Sequence, residues 1–300
     1  MNYEEKLKEL ALKDERFIVM TAENRIAIRN LPEHLGERYI DTGISEQSLI
    51  GIASGLALMG RIPVVHALAP FLTMRAFEFI RTNIGLQNLP VILVGSIPGF
   101  LSDGNGPTHQ AIEDISLMRG IPNMNIFCPA DDDDMNKCIE KILLSGKPFY
   151  IRYNTSPHIV EHSNNFEIGK AEVFGKGDIV LITYGFMFTE TFKSAILLTS
   201  KGYSVKVINL RTLFPFDEEL ICESVKDSRI VVTIEDHFAT GGLASILSEI
   251  VMNRKISINH LGINLAKNWF KPCLMNELLD HEGFTAQIIS DKILTKLGKK

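Results

Sequence analysis

This 300-residue sequence predicts an α/β protein of two consecutive domains, each a mostly parallel sheet flanked by helices. Three observations predict it. Short β-branched runs alternate with longer helical patterns, as parallel strands joined by crossover helices require. The length exceeds that of one typical domain and suffices for two cores of about 150 residues each. A polar stretch between Asn154 and Gly177, holding Pro157, His158, His162 and the Asn164-Asn165 pair, lacks helical periodicity and reads as the linker. The domains are accordingly placed at residues 1–160 and 161–300.

Taken in order, the chain begins with MNYEEKLKELALKDERF, which is charged from its fourth residue and reads as an amphipathic helix, not a signal peptide. Candidate strands follow at Phe17–Met20, Pro63–Ala67, Val91–Ser96, Asn125–Cys128 and Phe149–Tyr153. Beyond the linker, Gly175-Lys176-Gly177-Asp178 turns into further strands at Ile179–Thr183, Ser204–Ile208, Arg229–Ile234 and Ile256–Asn259. Helical patterns fall near residues 46–59, 71–87, 131–145, 187–200, 217–226, 242–253 and 284–297. Trp269 and the basic tail Lys292 to Lys300 carry no functional signal.

Charge and cysteine content narrow the function. The 31 Lys+Arg against 36 Asp+Glu give a net charge of −5 with no basic block to trace a phosphate backbone, which argues against nucleic acid as a partner. Cys128, Cys138, Cys222 and Cys273 lie far apart without a CxxC pair, which fits thiols in a reducing cytosol. The longest apolar run, Leu49 to Gly60, is too short to span a bilayer, so the expectation is a soluble, cytoplasmic protein.

Two segments of the first half carry candidate chemistry. The run GISEQSLIGIASGLALMG (43–60) reads as a helix fit for the interior, yet Glu46 opens it. A buried carboxylate is satisfied, neutralised or used. With Ser45 as the N-cap, Glu46 also fits as a first-turn acid complementing the helix dipole. The second segment, Pro98 to Gln110, follows an apolar strand, where open α/β sheets bind ligands. Its three glycines and two prolines define a path that holds His109 in place; ordinary turn chemistry is the other reading.

The series GISEQ, PFLTMRAFEFIRTNIGLQNLPVILV, DGNGPTHQ and RGIPNMNIFCPADDDD resembles the pyrimidine-binding domain of transketolases and 1-deoxyxylulose-5-phosphate synthases. GDIVLITYG, VINLRTLFPFD and IEDHFATGGLASILSEI resemble the C-terminal domain of the same enzymes. In that family a separate N-terminal domain binds the diphosphate of thiamine diphosphate and its Mg2+ through Gly-Asp-Gly followed by Asn. No such motif is found here. The resemblance therefore implies the C-terminal subunit of a split transketolase, with the cofactor shared with a separate N-terminal subunit that carries the Mg2+. The implied assembly is α2β2, active in two-carbon ketol transfer between sugars or sugar phosphates.

The resemblance also implies residue roles. Glu46 matches the glutamate that hydrogen-bonds the aminopyrimidine, and a low-polarity setting favours a proton shared with that ring. Phe71, Met74 and Phe77 match the niche that holds the ring's faces, although Phe77 fits a helix's core stripe as well. His109 matches a histidine that contacts the donor sugar near the reacting carbon. Asn105 and Arg152 stand at substrate positions. Asn105 replaces an aspartate of transketolases, Ile97 a phosphate-gripping histidine, and no second arginine follows Arg152. The first departure leaves the donor's stereochemistry open, and the other two imply a donor or acceptor lacking the terminal phosphate or carrying it elsewhere.

Two further features read as structural. Glu235-Asp236-His237 before Gly241-Gly242 reads as a strand end and tight helix start packing against a neighbouring subunit, and Asp131–Asp134 as the opening of a helix, not a metal site. The alternative functions are the β subunit of a 2-oxo-acid dehydrogenase E1 component, which shares an Ile-Ser-Glu opening, and a non-catalytic assembly subunit.

Overall fold

The computed structural model describes residues 1–298; Lys299 and Lys300, the end of the basic tail, lie outside the described residues. The strands are β1 (Phe17–Thr21), β2 (Tyr39–Asp41), β3 (Ile62–Leu68), β4 (Ile92–Ser96), β5 (Asn125–Phe127) and β6 (Phe149–Arg152). They continue with β7 (Glu172–Gly175), β8 (Ile179–Thr183), β9 (Val205–Asn209), β10 (Thr212–Phe214), β11 (Ile230–Ile234) and β12 (His260–Ile263). The helices are α1 (Tyr3–Lys13), α2 (Pro32–Leu35), α3 (Glu46–Leu58), α4 (Phe77–Phe79), α5 (Asp114–Arg119) and α6 (Asp132–Leu143). After them come α7 (Phe188–Ser200), α8 (Glu218–Lys226), α9 (Leu243–Arg254), α10 (Met275–Glu282) and α11 (Ala286–Lys296).

They build two α/β units. One sheet runs β10-β5-β6-β4-β3-β1-β2 and is parallel except for β10; the other runs β12-β11-β8-β9-β7 and is parallel except for β7. Strands β1, β4, β8 and β11 are buried along their whole length, as expected of parallel strands covered on both faces. Strand β10 belongs to the second half in sequence yet pairs with β5 of the first sheet.

Several expectations are corrected. The stretch read as a linker is built into the fold: Asn154, His162 and Phe166 are buried, and β7 forms within it. His162 is held between Asp131 and Glu172, contacts that no periodicity reveals. The last strand lies at His260–Ile263 and not at 256–259, because Ile256 and Ile258 pack as partly buried anchors beside a core cluster. Helix α3 is not interior all round: Leu49, Ile50, Ala53 and Ala57 face the core, while Ser48, Gly51, Ile52, Gly55 and Leu58 are exposed.

Candidate active site

Because β1, β3 and β4 are parallel neighbours, their carboxyl ends open on one side of the first sheet, and a cleft of about 400 Å³ lies there. Its walls are Ala22 to Ile26 after β1, Ile44 and Glu46 at the head of α3, and Leu68 and Phe71 at the end of β3. Asp41, at the end of β2, shapes the approach to α3. Its carboxylate accepts from the Gly43 and Glu23 amides at 3.0 and 3.1 Å and from Arg25 at 2.9 Å. Burial alone would raise this carboxyl, but those hydrogen bonds together hold it below its ordinary value. Glu23 adopts φ 64°, a left-handed backbone that a non-glycine residue keeps only where its surroundings demand it.

Glu46 is 2% exposed, at the first turn of α3. Ser45 does not cap that helix with its side chain; its hydroxyl donates to the Thr42 carbonyl at 2.9 Å instead. Nor is the setting of Glu46 purely apolar. Arg75 Nη1 donates to Glu46 Oε2 at 2.8 Å, and Oε1 has no hydrogen-bond partner among the described residues. Arg75 lies four residues beyond Phe71 on a wide helical turn, so its guanidinium comes back over that ring, 4.2 Å from the centroid. The Phe71 ring in turn packs edge-on against His109 at 5.0 Å. Phe71 therefore joins two residues that lie far apart in sequence.

His109 is partly exposed, and its Nδ1 is 3.0 Å from the Thr108 hydroxyl, which leaves Nε2 without a protein partner among the described residues. The loop that carries it is fastened to the second unit. The Phe100 amide donates to Asp236 at 3.0 Å, Gln110 donates to the Phe270 carbonyl at 2.8 Å, and Phe100 packs against Phe270 and Phe284. Gly99 has φ 54°, and a Cβ there would collide with the Asp236 carboxylate. The glycine is needed for both reasons.

Other expected site residues are placed elsewhere. Asn105 is exposed on the loop and does not line the cleft. Met74 is 37% exposed, and Phe77 packs against the core cluster, so neither lines the cleft with Phe71. The structure does not present Arg152 to a substrate. It is 2% exposed, donates to Asp114 at 3.0 Å, and pairs with Asp236 from the other unit. A buried guanidinium with both carboxylates in place has no free face for a phosphate.

Glu235-Asp236-His237 packs within the chain and not against a neighbouring subunit. Glu235 accepts from the Leu243 and Ala244 amides at the start of α9, and burial raises its carboxyl to about 7. Burial likewise lowers the His237 imidazole to about 4; its Nε2 accepts from the Ser116 amide and its Nδ1 donates to the Phe238 carbonyl. A second buried cluster gathers Asp131, Asp134 and Glu172 around His162 and Arg211. Burial alone would lower the His162 imidazole, but its bonds to Asp131 and Glu172, with Asp134 close by, raise it to about 10. Ligand atoms of Asp134, His162 and Glu172 lie within 4.8 Å of one another. With the imidazole protonated and Arg211 inserted, however, the group is a set of ion pairs. Asp131 also caps α6 by accepting from the Asp134 amide at 3.0 Å.

The sequence reading missed Arg75, Asp41 and the pairing of Asp236 with Arg152. Arg75 carried a usable signal, its i,i+4 spacing from Phe71. Asp236 carried none, since its partners come from the other unit.

Fold and cleft together define the class: a two-unit α/β chain whose acid-headed helix opens a ligand crevice beyond the parallel strands. Its first 157 residues match the family described as transketolase, pyrimidine binding domain, and residues 169–289 match transketolase, C-terminal domain. The chain belongs to the transketolase family. Among its relatives is 6-deoxy-6-sulfo-D-fructose transketolase subunit SqwH of Clostridium sp. (strain MSTE9), 33% identical over 87% of this chain and 83% of that protein. The 1-deoxy-D-xylulose-5-phosphate synthase of Dictyoglomus thermophilum is 33% identical over 87% of this chain, which spans 43% of that enzyme. A solved structure described as a split gene transketolase, inactive beta4 tetramer, is 31% identical with a TM-score of 0.87, over 99% of this chain and 97% of that one. No helix among the described residues is long and apolar enough to cross a membrane.

Proposed function

We propose that this chain is the C-terminal subunit of a two-chain, thiamine-diphosphate-dependent transketolase that moves a two-carbon ketol unit between sugars. The observation that carries this reading is the convergence of Glu46, Phe71 and His109 beside one cleft. The full-length match to a split gene transketolase supports it.

The residues present suit the pyrimidine end of that cofactor. Glu46 Oε1 is an unpartnered carboxylate oxygen on an otherwise buried residue, and Phe71 offers a flat apolar face next to it. Bound there, the cofactor supplies the electron sink for breaking a carbon–carbon bond beside a ketone. Glu46 holds a proton at the ring nitrogen, Phe71 keeps water from that face, and His109 Nε2 donates to or accepts from the sugar oxygen. Met74 and Phe77 keep proposed roles as outer walls of the niche once both chains assemble, and Asn105 a proposed contact to the sugar.

Nothing in the cleft among the described residues gathers the cations a diphosphate requires; Arg25 is committed to Asp41. The diphosphate and Mg2+ are therefore assigned to the partner chain. The open face of α3, with Ile52 and Leu58 exposed, and Ile44 just before it, is the surface assigned to assembly. With Arg152 sealed in ion pairs, a substrate without the usual terminal phosphate grip fits best.

The test is reconstitution. This chain, co-purified with a chain carrying Gly-Asp-Gly and a downstream Asn, should transfer two-carbon units when given thiamine diphosphate and Mg2+. An assembled pair that binds the cofactor yet transfers nothing from any ketose, phosphorylated or free, would sink the reading.

A further inference from the structure

The Arg75 side chain engages the two features that suit the cleft to an aromatic ring. Its guanidinium is planar, lies 4.2 Å from the Phe71 centroid, and donates to Glu46 Oε2 at 2.8 Å. An aminopyrimidine would make the same two contacts, a stack on an aromatic face and a hydrogen bond to a carboxylate. His109 packs against the same ring, 5.0 Å between centroids with the planes at 67°. Glu46 Oε1 stays free, but a ring that stacks on the Phe71 face under the Arg75 guanidinium must displace it.

We propose that Arg75 is an internal stand-in for the aminopyrimidine: it holds Glu46 and covers Phe71 until the ring displaces it, and so sets the affinity of the site. This inference rests on the cofactor reading of the cleft given above. The route out is open, since 41% of the Arg75 side chain is exposed while Glu46 is almost wholly buried. Displacement moves the long, flexible partner and leaves the carboxylate where the ring needs it. Because 41% of the Arg75 side chain is exposed, the pair resists displacement only modestly, which suits a latch that ligand binding must open.

The test uses the full chain and the fragment 4-amino-5-hydroxymethyl-2-methylpyrimidine, titrated by ligand-observed NMR. Arg75→Met keeps the length of the side chain and removes its plane and charge; it should bind the fragment about fivefold more tightly than the unmodified chain. Arg75→Lys keeps the charge but not the plane and should fall between the two. Added salt should tighten binding to the unmodified chain and leave Arg75→Met unchanged, because screening loosens only the ion pair. Equal or weaker binding by Arg75→Met would overturn the stand-in role while leaving the cofactor reading intact. A fragment that binds neither chain counts against the cofactor reading itself, and this inference falls with it.

Discussion

The cleft and the contact between the two units treat charge in opposite ways. Between the units, Arg152 is closed in by Asp114 and Asp236, and His162 and Arg211 by three carboxylates, with almost no exposure. In the cleft, Glu46 is as deeply buried but has a single partner, Arg75, whose side chain is 41% exposed. A buried charge with its full set of partners fixes geometry, and removing one partner is costly. A buried charge with an oxygen to spare is available to a ligand. The same residue types thus serve cohesion in one place and chemistry in the other; Asp114 Oδ1 also lacks a hydrogen-bond partner, but Asp114 is wholly enclosed whereas Glu46 lines the cleft.

The sharpest way to break this contrast is Glu46→Gln. It should leave the chain folded and cut two-carbon transfer by roughly 10²–10⁴-fold, the range for losing a proton-handling group. Undiminished turnover would make Glu46 merely structural. Arg152→Met should do the reverse. It strands two buried carboxylates and should cost about 3–5 kcal/mol in denaturant unfolding, and adding Asp114→Asn and Asp236→Asn should recover much of the loss. A change below about 1 kcal/mol would show that the charges between the units are not what holds them together.

His162→Gln refines the comparison through pH. The imidazole's value in the folded chain, about 10, lies above its ordinary 6.5. Its stabilisation is therefore fully present below about pH 6.5 and is lost as pH rises toward 10. The stability gap between the native chain and His162→Gln should be at most on the order of 5 kcal/mol at pH 6 and should close by pH 10. A gap that stays constant across that range would contradict the ion-pair assignment.

The smallest effect belongs to Met74→Ala, which should cost about 0.5 kcal/mol or less in the isolated chain, since Met74 is substantially exposed. Leu72→Ala, two residues earlier and fully buried, should cost about 2–5 kcal/mol. Similar costs at the two positions would mean that Met74 is buried in solution.

Much of this organisation is legible from the chain itself. The β-branched runs that became β1, β3, β4, β8 and β11 are wholly or almost wholly buried, so their composition carries the signal directly. Glu46 is legible for the converse reason, an acid opening an apolar run. The unpredicted strands β2 and β10 have three residues each, and β7 has four at a sheet edge; elements so short leave little periodicity to read. Arg152 shows the limit most clearly. The family resemblance implied a substrate grip there, and the arrival of Asp236 from the other unit makes it a tie.

The sequence by itself determined which segments become strands and helices, where an acid meets an apolar helix, and which family the pattern resembles, because these follow from local composition and spacing. Tertiary structure alone decided which charges are closed off and which stay open: Arg152 sealed, His162 locked as a cation, Arg75 laid across Phe71 onto Glu46. The reason is physical. A side chain's desolvation and its partners are set by atoms brought in from distant parts of the chain, and local pattern does not encode their arrival.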